Sequence, residues 1–128
     1  MVGALDDVQD VGPKLERVAV VVAWFGSDLR AGSCGIRPGI DSASKVTSGA
    51  GWSVAGVTRA GAYVVSQVDG RPAFGGTPSD DSVVHLIAEL KARGLKVTFY
   101  PFIMMDIPDG NGLTDPWSGA ASQPAYPW

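Results

Sequence analysis

Three aspartates, Asp28, Asp69 and Asp106, each close an apolar, strand-like run. The carboxyl end of a strand is where β/α-barrel enzymes assemble their sites, so each is a candidate site carboxylate. Two carboxylates about 5 to 9 Å apart would serve glycoside hydrolysis, one protonating the leaving oxygen and the other attacking the sugar or activating water. Asp106 ranks first, as a site carboxylate or an acceptor for a sugar hydroxyl. Asp28 is the second catalytic candidate, with Arg30 as an ion-pair partner, and Asp69 is a candidate substrate contact. An aspartate shortly before Pro108 equally suits a turn, where its side chain caps local amides.

Aromatic residues accompany these acids. Trp24 ends the first apolar run, and Tyr100 and Phe102 lie in the last, where they would either stack on a carbohydrate face or pack in a core. Trp52, Phe74, Trp117, Tyr126 and Trp128 fall on loops, where rings are free to contact a ligand, a partner or further parts of the protein. Gly75-Gly76-Thr77 precedes a helix start and offers free amides to an anion, yet no phosphate-loop or dinucleotide pattern accompanies it. His85 reads as a structural histidine on a helix, and Cys34 as an inert thiol in a long loop. With one cysteine and one histidine in the chain, neither a disulfide framework nor a zinc cluster is expected. No metal or cofactor is anticipated.

The elements that position these residues follow from pattern. Arg17–Phe25, RVAVVVAWF, is apolar without alternation, as a strand covered on both faces requires. Residues 29–60 are rich in glycine and serine and read as a long loop. Ala62–Val68 is predicted as a second strand, ended by Asp69-Gly70. Thr77 is the expected N-cap of a helix over 78–93, with Pro78 at its first position and Gly94 as its left-handed stop. Val83, Ile87 and Leu90 mark its apolar stripe. Leu95–Met105 is predicted as a third strand, with a bulge or an end at Pro101. Strand 62–68, the helix and strand 95–103 would then form a parallel βαβ unit.

Composition narrows the function classes. Ten basic against thirteen acidic residues give a net charge of −3, which leaves no electrostatic footprint for a nucleic-acid backbone. The longest apolar run, 18–25, is far shorter than the roughly 20 residues that span a bilayer. The stretch Met1–Asp7 has neither a basic leader nor an apolar core, so a signal peptide is not expected.

Three segments carry a resemblance: Val20–Gly32 (VVVAWFGSDLRAG), Gly75–Asp80 (GGTPSD) and Arg93–Pro108 (RGLKVTFYPFIMMDIP). Together they resemble the glycoside-hydrolase-like TIM-barrel domain in the large tail-tip protein of gene transfer agents and related tailed phages. The resemblance runs over nearly the whole chain. It implies that residues 1–128 are an N-terminal fragment of a partial (β/α)8 barrel, with the first strands and one crossover helix. It further implies a baseplate component made in the bacterial cytoplasm and carried in the particle tail, with other tail subunits and a cell-surface or cell-wall glycan as partners. In barrel hydrolases of this kind the acid/base comes from the fourth strand and the nucleophile from the seventh, so the fragment is expected to be inactive alone. Three strands and one helix leave apolar faces open, and a homo-oligomer is one arrangement that would cover them.

Overall fold

The computed structural model describes residues 2–127, and the fold is mixed α/β with two helices, small sheets and no closed barrel among those residues. Helix α1 (Val2–Val11) leads into β1 (Arg17–Gly26), which runs parallel to β9 (Lys96–Met105) in register from Arg17↔Lys96 to Gly26↔Met105. Helix α2 (Asp80–Ala92) precedes β9 and packs against the pair. The β-branched run of β1 supplies Val20 and Val22 to this core, where they meet Leu90 and Leu95. Leu90 is 1% exposed, while Val83, Leu86 and Ile87 are half-buried around it.

Helix α2 begins and ends on recognisable chemistry. Ser79 is the N-cap and accepts from the Ser82 amide, and Asp80 and Asp81 place negative charge in the first turn, where the helix dipole favours it. At the other end Gly94, at φ +77°, donates to the Lys91 carbonyl and Leu95 donates to that of Leu90, a Schellman closure. Thr77, the expected cap, lies two residues before Ser79 and has a different task, described below. Helix α1 had no counterpart in the sequence pattern. Its Asp6 and Gln9 bind the Arg93 guanidinium at 2.7 and 2.8 Å, and its Leu5 reaches the core.

The expected strand over 62–68 is the main correction. Its residues divide between β6 (Tyr63–Val64), parallel to β3 (Gly39–Ile40), and β7 (Gln67–Val68), which forms a hairpin with β8 (Arg71–Pro72). Asp69 and Gly70 both take positive φ, the type I′ turn that closes such a hairpin. The parallel partner of β9 is therefore β1, and the crossover spans residues 27–95. The long loop also holds structure: β2 (Ile36–Arg37) pairs antiparallel with the end of β1, and β4 (Ser53–Val54) with β5 (Val57–Thr58). Pro101 neither bulges nor ends β9. It sits opposite Val22 on an outer strand, where a missing N–H is tolerated.

Alternation divides β1 and β9 into two faces. The face bearing Val18, Val20 and Val22 packs on α2. The other, with Val21 beside Tyr100, leaves both of those side chains about half exposed. No helix among the described residues is long and apolar enough to cross a membrane.

Candidate functional site

The parallel pairing of β1 and β9 brings Asp28 and Asp106 to one end of the sheet. The last register pair is Gly26↔Met105; Asp106 follows it by one residue and Asp28 by two. The Asp106 amide extends the pairing by donating to the Gly26 carbonyl at 3.0 Å. Both side chains are buried. Their surroundings differ.

Asp28 is fully engaged. Its Oδ1 accepts from the Arg30 amide and Nε and from Gln123 Nε2, at 2.8, 2.9 and 2.8 Å, and its Oδ2 from Arg30 Nη2 at 2.6 Å. The Arg30 guanidinium above all, then the Gln123 amide, hold its carboxyl well below the usual carboxylate range. Gln123 also accepts from the Leu29 amide and donates to the Thr114 carbonyl, so it ties residues 114–123 to the end of β1. An anion with its lone pairs taken has no free site for a proton or a substrate hydroxyl. Asp28 serves as an anchor.

Asp106 is 0% exposed, and only one of its oxygens is used. Oδ2 accepts from the Tyr63 hydroxyl at 2.6 Å and from the Ser66 amide at 2.8 Å, while Oδ1 has no hydrogen-bond partner among the described residues. Burial first, then the hydrogen bond to this carboxylate, push the Tyr63 phenol above its ordinary value. The Arg37 guanidinium lies 3.5 Å over the Tyr63 ring, a cation–π contact that fixes the ring's plane. A buried acceptor with a vacant oxygen is uncommon in folded proteins and marks a place where a donor is expected.

The other sequence candidates separate. Asp69 lies in the exposed β7–β8 turn and makes no hydrogen bond or ion pair with Asp28 or Asp106 among the described residues. Trp24 is half-buried and packs against both apolar clusters, one around Val20 and Leu90 and the other around Ile40, Trp52 and Val54. Tyr100 stands on the open face with its ring tilted against Phe102 at 6.0 Å, free for contact. His85 Nδ1 lies 2.8 Å from the Asp81 carbonyl oxygen and 3.2 Å from its carboxylate, one turn earlier. Of the loop aromatics, Trp52 is a core residue, Phe74 packs against Phe25, and Trp117 is 96% exposed. Trp128 lies outside the described residues.

Four residues that matter here had no signal in the sequence pattern: Tyr63, Ser66, Gln123 and Thr77 in its observed role. Thr77, 3% exposed, donates from Oγ1 to the Ala23 carbonyl at 2.7 Å and accepts from the Gly39 amide at 3.0 Å. Its amide donates to the Gly39 carbonyl, and its carbonyl accepts from Trp52 Nε1, each at 2.7 Å. One residue thus joins β1, β3 and the Trp52 loop. Gly76 lets this happen: a Cβ there would stand 3.0 Å from the Gly39 carbonyl oxygen and 3.1 Å from Ile40 Cα. Beside this junction, between residues 41–50 and the start of α2, lies an open cavity of about 410 Å³.

Among the described residues no cluster of His, Cys, Asp and Glu could hold a metal ion. No family model and no curated protein matches the chain.

Proposed function

We propose that this chain is part of a glycoside-hydrolase-like β/α-barrel domain in the tail-tip baseplate protein of a phage-like particle of the gene transfer agent type. There it contributes to contact with the host cell surface or to penetration of the envelope. What carries the reading is one arrangement: two parallel ten-residue strands with a helix on one face, an open face on the other, and Asp28 and Asp106 at a common carboxyl end. That is the local plan of a β/α barrel, whose further strands cover the inner face. The three segments that resemble the tail-tip domain coincide with β1 and its exit, the approach to α2, and β9. The protein is assembled in the bacterial cytoplasm, carried in the tail and bound to other baseplate subunits, with a surface or cell-wall glycan as its outward partner.

A second reading, glycan hydrolysis by the intact domain, is favoured by the vacant Oδ1 of Asp106 at a strand end. The saturation of Asp28 leaves Asp106 without a second free carboxylate here, which favours contact over catalysis for this part of the domain.

Antibodies against residues 1–128 test the proposal by immunogold labelling of particles released from the bacterium that encodes the chain. Label at the tail end away from the head is expected. Label absent from particles, with the protein found only in the cell, overturns the reading. Release of reducing sugar from cell-wall or surface polysaccharide by the chain alone, abolished by Asp106→Asn, replaces contact with catalysis.

A further inference from the structure

The 410 Å³ cavity beside Thr77 lies within the size range of small-molecule sites, and its lining is chemically specific. Asp41, Lys45, Ser48, Trp52, Arg59 and Ser82 contribute to its walls. Its charges cancel in place. Asp41 takes Lys45 Nζ at 2.8 Å on one oxygen and stands 3.9 Å from Arg59 Nη1 with the other. On the facing wall Asp81, in the first turn of α2, supplies a second carboxylate, so the lining sets Asp41 and Asp81 against Lys45 and Arg59.

The formal charges of the lining therefore balance, which gives a charged ligand no net attraction. What the cavity offers instead is hydrogen bonding beside an apolar surface. The hydroxyls of Thr47 and Ser48 take no partner among the described residues, and the Asp41 carboxylate retains accepting capacity next to them. The indole of Trp52 is fixed by its bond to the Thr77 carbonyl and by Arg59, whose guanidinium carbon lies 5.8 Å from the ring centroid.

We infer that this cavity is a binding subsite for an uncharged saccharide unit. Sugar hydroxyls bond to Asp41, Thr47 and Ser48, and the C–H surface of the ring meets the exposed edge of the Trp52 indole. The inference rests on the cell-surface reading for its ligand class and names where one sugar unit sits. It gives residues 41–50 a function that the strand-end aspartates do not cover.

The indole N–H resonance of Trp52 in the 128-residue chain is the probe, titrated with N-acetylglucosamine, its β-1,4-linked disaccharide, mannose and galactose, and with inorganic phosphate as the charged control. A saturable shift with at least one neutral saccharide and none with phosphate is expected. Ser48→Trp, which fills the cavity from an exposed loop position, is expected to weaken binding by about tenfold or more. Asp41→Asn, which keeps the side-chain shape, is expected to weaken it too. Absence of any saturable saccharide shift, a saturable response to phosphate, or affinity unchanged in a folded Ser48→Trp overturns the subsite. Cosedimentation with bacterial envelopes separates the two claims. Envelope binding that survives Ser48→Trp, without a cavity response, overturns the subsite alone; saturable cavity binding without any envelope binding overturns the surface-contact reading alone.

Discussion

The β1–α2–β9 layer and the loops gathered at its carboxyl end are held by different forces. In the layer, Val20, Val22, Leu90 and Leu95 bury apolar surface, and the contacts are those of a helix stripe against two apolar strands. At the loops, the joints are single polar residues: Thr77 between β1 and β3, Asp106 between β9 and residues 63–66, and Gln123 between Asp28 and the final segment. Apolar burial is non-directional and tolerates change of shape, whereas each polar joint depends on particular atoms whose partners are left unsatisfied when it is removed. The difference assigns stability to the layer and geometry to the loops.

The largest test falls on the layer. Leu90→Ala removes a side chain that is almost wholly enclosed and is expected to cost about 2 to 5 kcal/mol in urea unfolding. Ile87→Ala, at a half-buried position in the same stripe, should cost clearly less. Equal costs would mean that α2 is centred on Ile87 and that the burial described for Leu90 is wrong.

Asp106→Ala tests the loops at their most enclosed joint. It leaves the Ser66 amide and the Tyr63 hydroxyl without their acceptor, at an expected cost of about 1 to 3 kcal/mol. Tyr63→Phe should lose less, since Asp106 keeps Ser66. Hydrogen exchange should then quicken at residues 63–66 in Asp106→Ala and remain slow in α2. Uniform quickening throughout would show that layer and loops open as one unit, against the comparison.

Much of the layer was legible in the sequence, because hydrophobic period is a local signal. The runs at Arg17–Phe25 and Leu95–Met105, the stripe on the helix and the Gly94 stop all occupy their expected places. AYVVSQV over 62–68 has the composition of a strand, yet Val64 and Val68 are exposed and only Val65 is deeply buried. β-branched residues suited an extended chain that tertiary polar contacts then divided between two partners. The placing of Asp28 and Asp106 at strand ends followed from the same runs. Arg30, two positions after Asp28, was legible as its partner; the rest of the unequal saturation was not, because it comes from Gln123 and Tyr63, which lie 95 and 43 positions away. Helix α1 has no marked cap, and although VGALDDVQDV spaces Leu5, Val8 and Val11 at helical intervals, Val8 and Val11 stay exposed; its docking rests on Leu5 and the Arg93 contacts.

Thr77 and Ser79 allow a finer cut, since the two forces meet within three residues. Thr77→Ala abandons the Gly39 amide in a buried place and is expected to cost about 1 to 3 kcal/mol. Ser79→Ala removes the cap at the amino end of α2, for about 1 kcal/mol. Thr77→Ser, which keeps the hydroxyl, should recover most of the first loss and separates the polar joint from the packing of its methyl group. Reversal of the Thr77 and Ser79 costs would return the cap to Thr77.

The smallest effect concerns the Asp28 joint and its dependence on pH. The carboxyl of Asp28 is held low chiefly by Arg30 and then by Gln123, so the folded protein keeps it ionised where the unfolded chain begins to take up a proton, near the ordinary aspartate value of about 3.9. Such a group contributes stability that is complete above that value and is lost as the pH falls from there toward the lower folded value. Asp41 and Asp115 are lowered too, by Lys45 and by Ser118, and add to the same acid window, so the wild-type curve alone cannot assign the loss. The difference between wild type and Arg30→Gln isolates Asp28. In the variant Asp28 titrates nearer its unfolded value, so the stability gap between the two proteins should hold steady at neutral pH and narrow as the pH drops below about 4. Arg30 is partly exposed, and added salt should reduce the gap by screening the pair. A gap that stays constant with acid would mean that Arg30 stabilises this end by packing its stem, and the Asp28 joint would then have to be counted with the apolar layer.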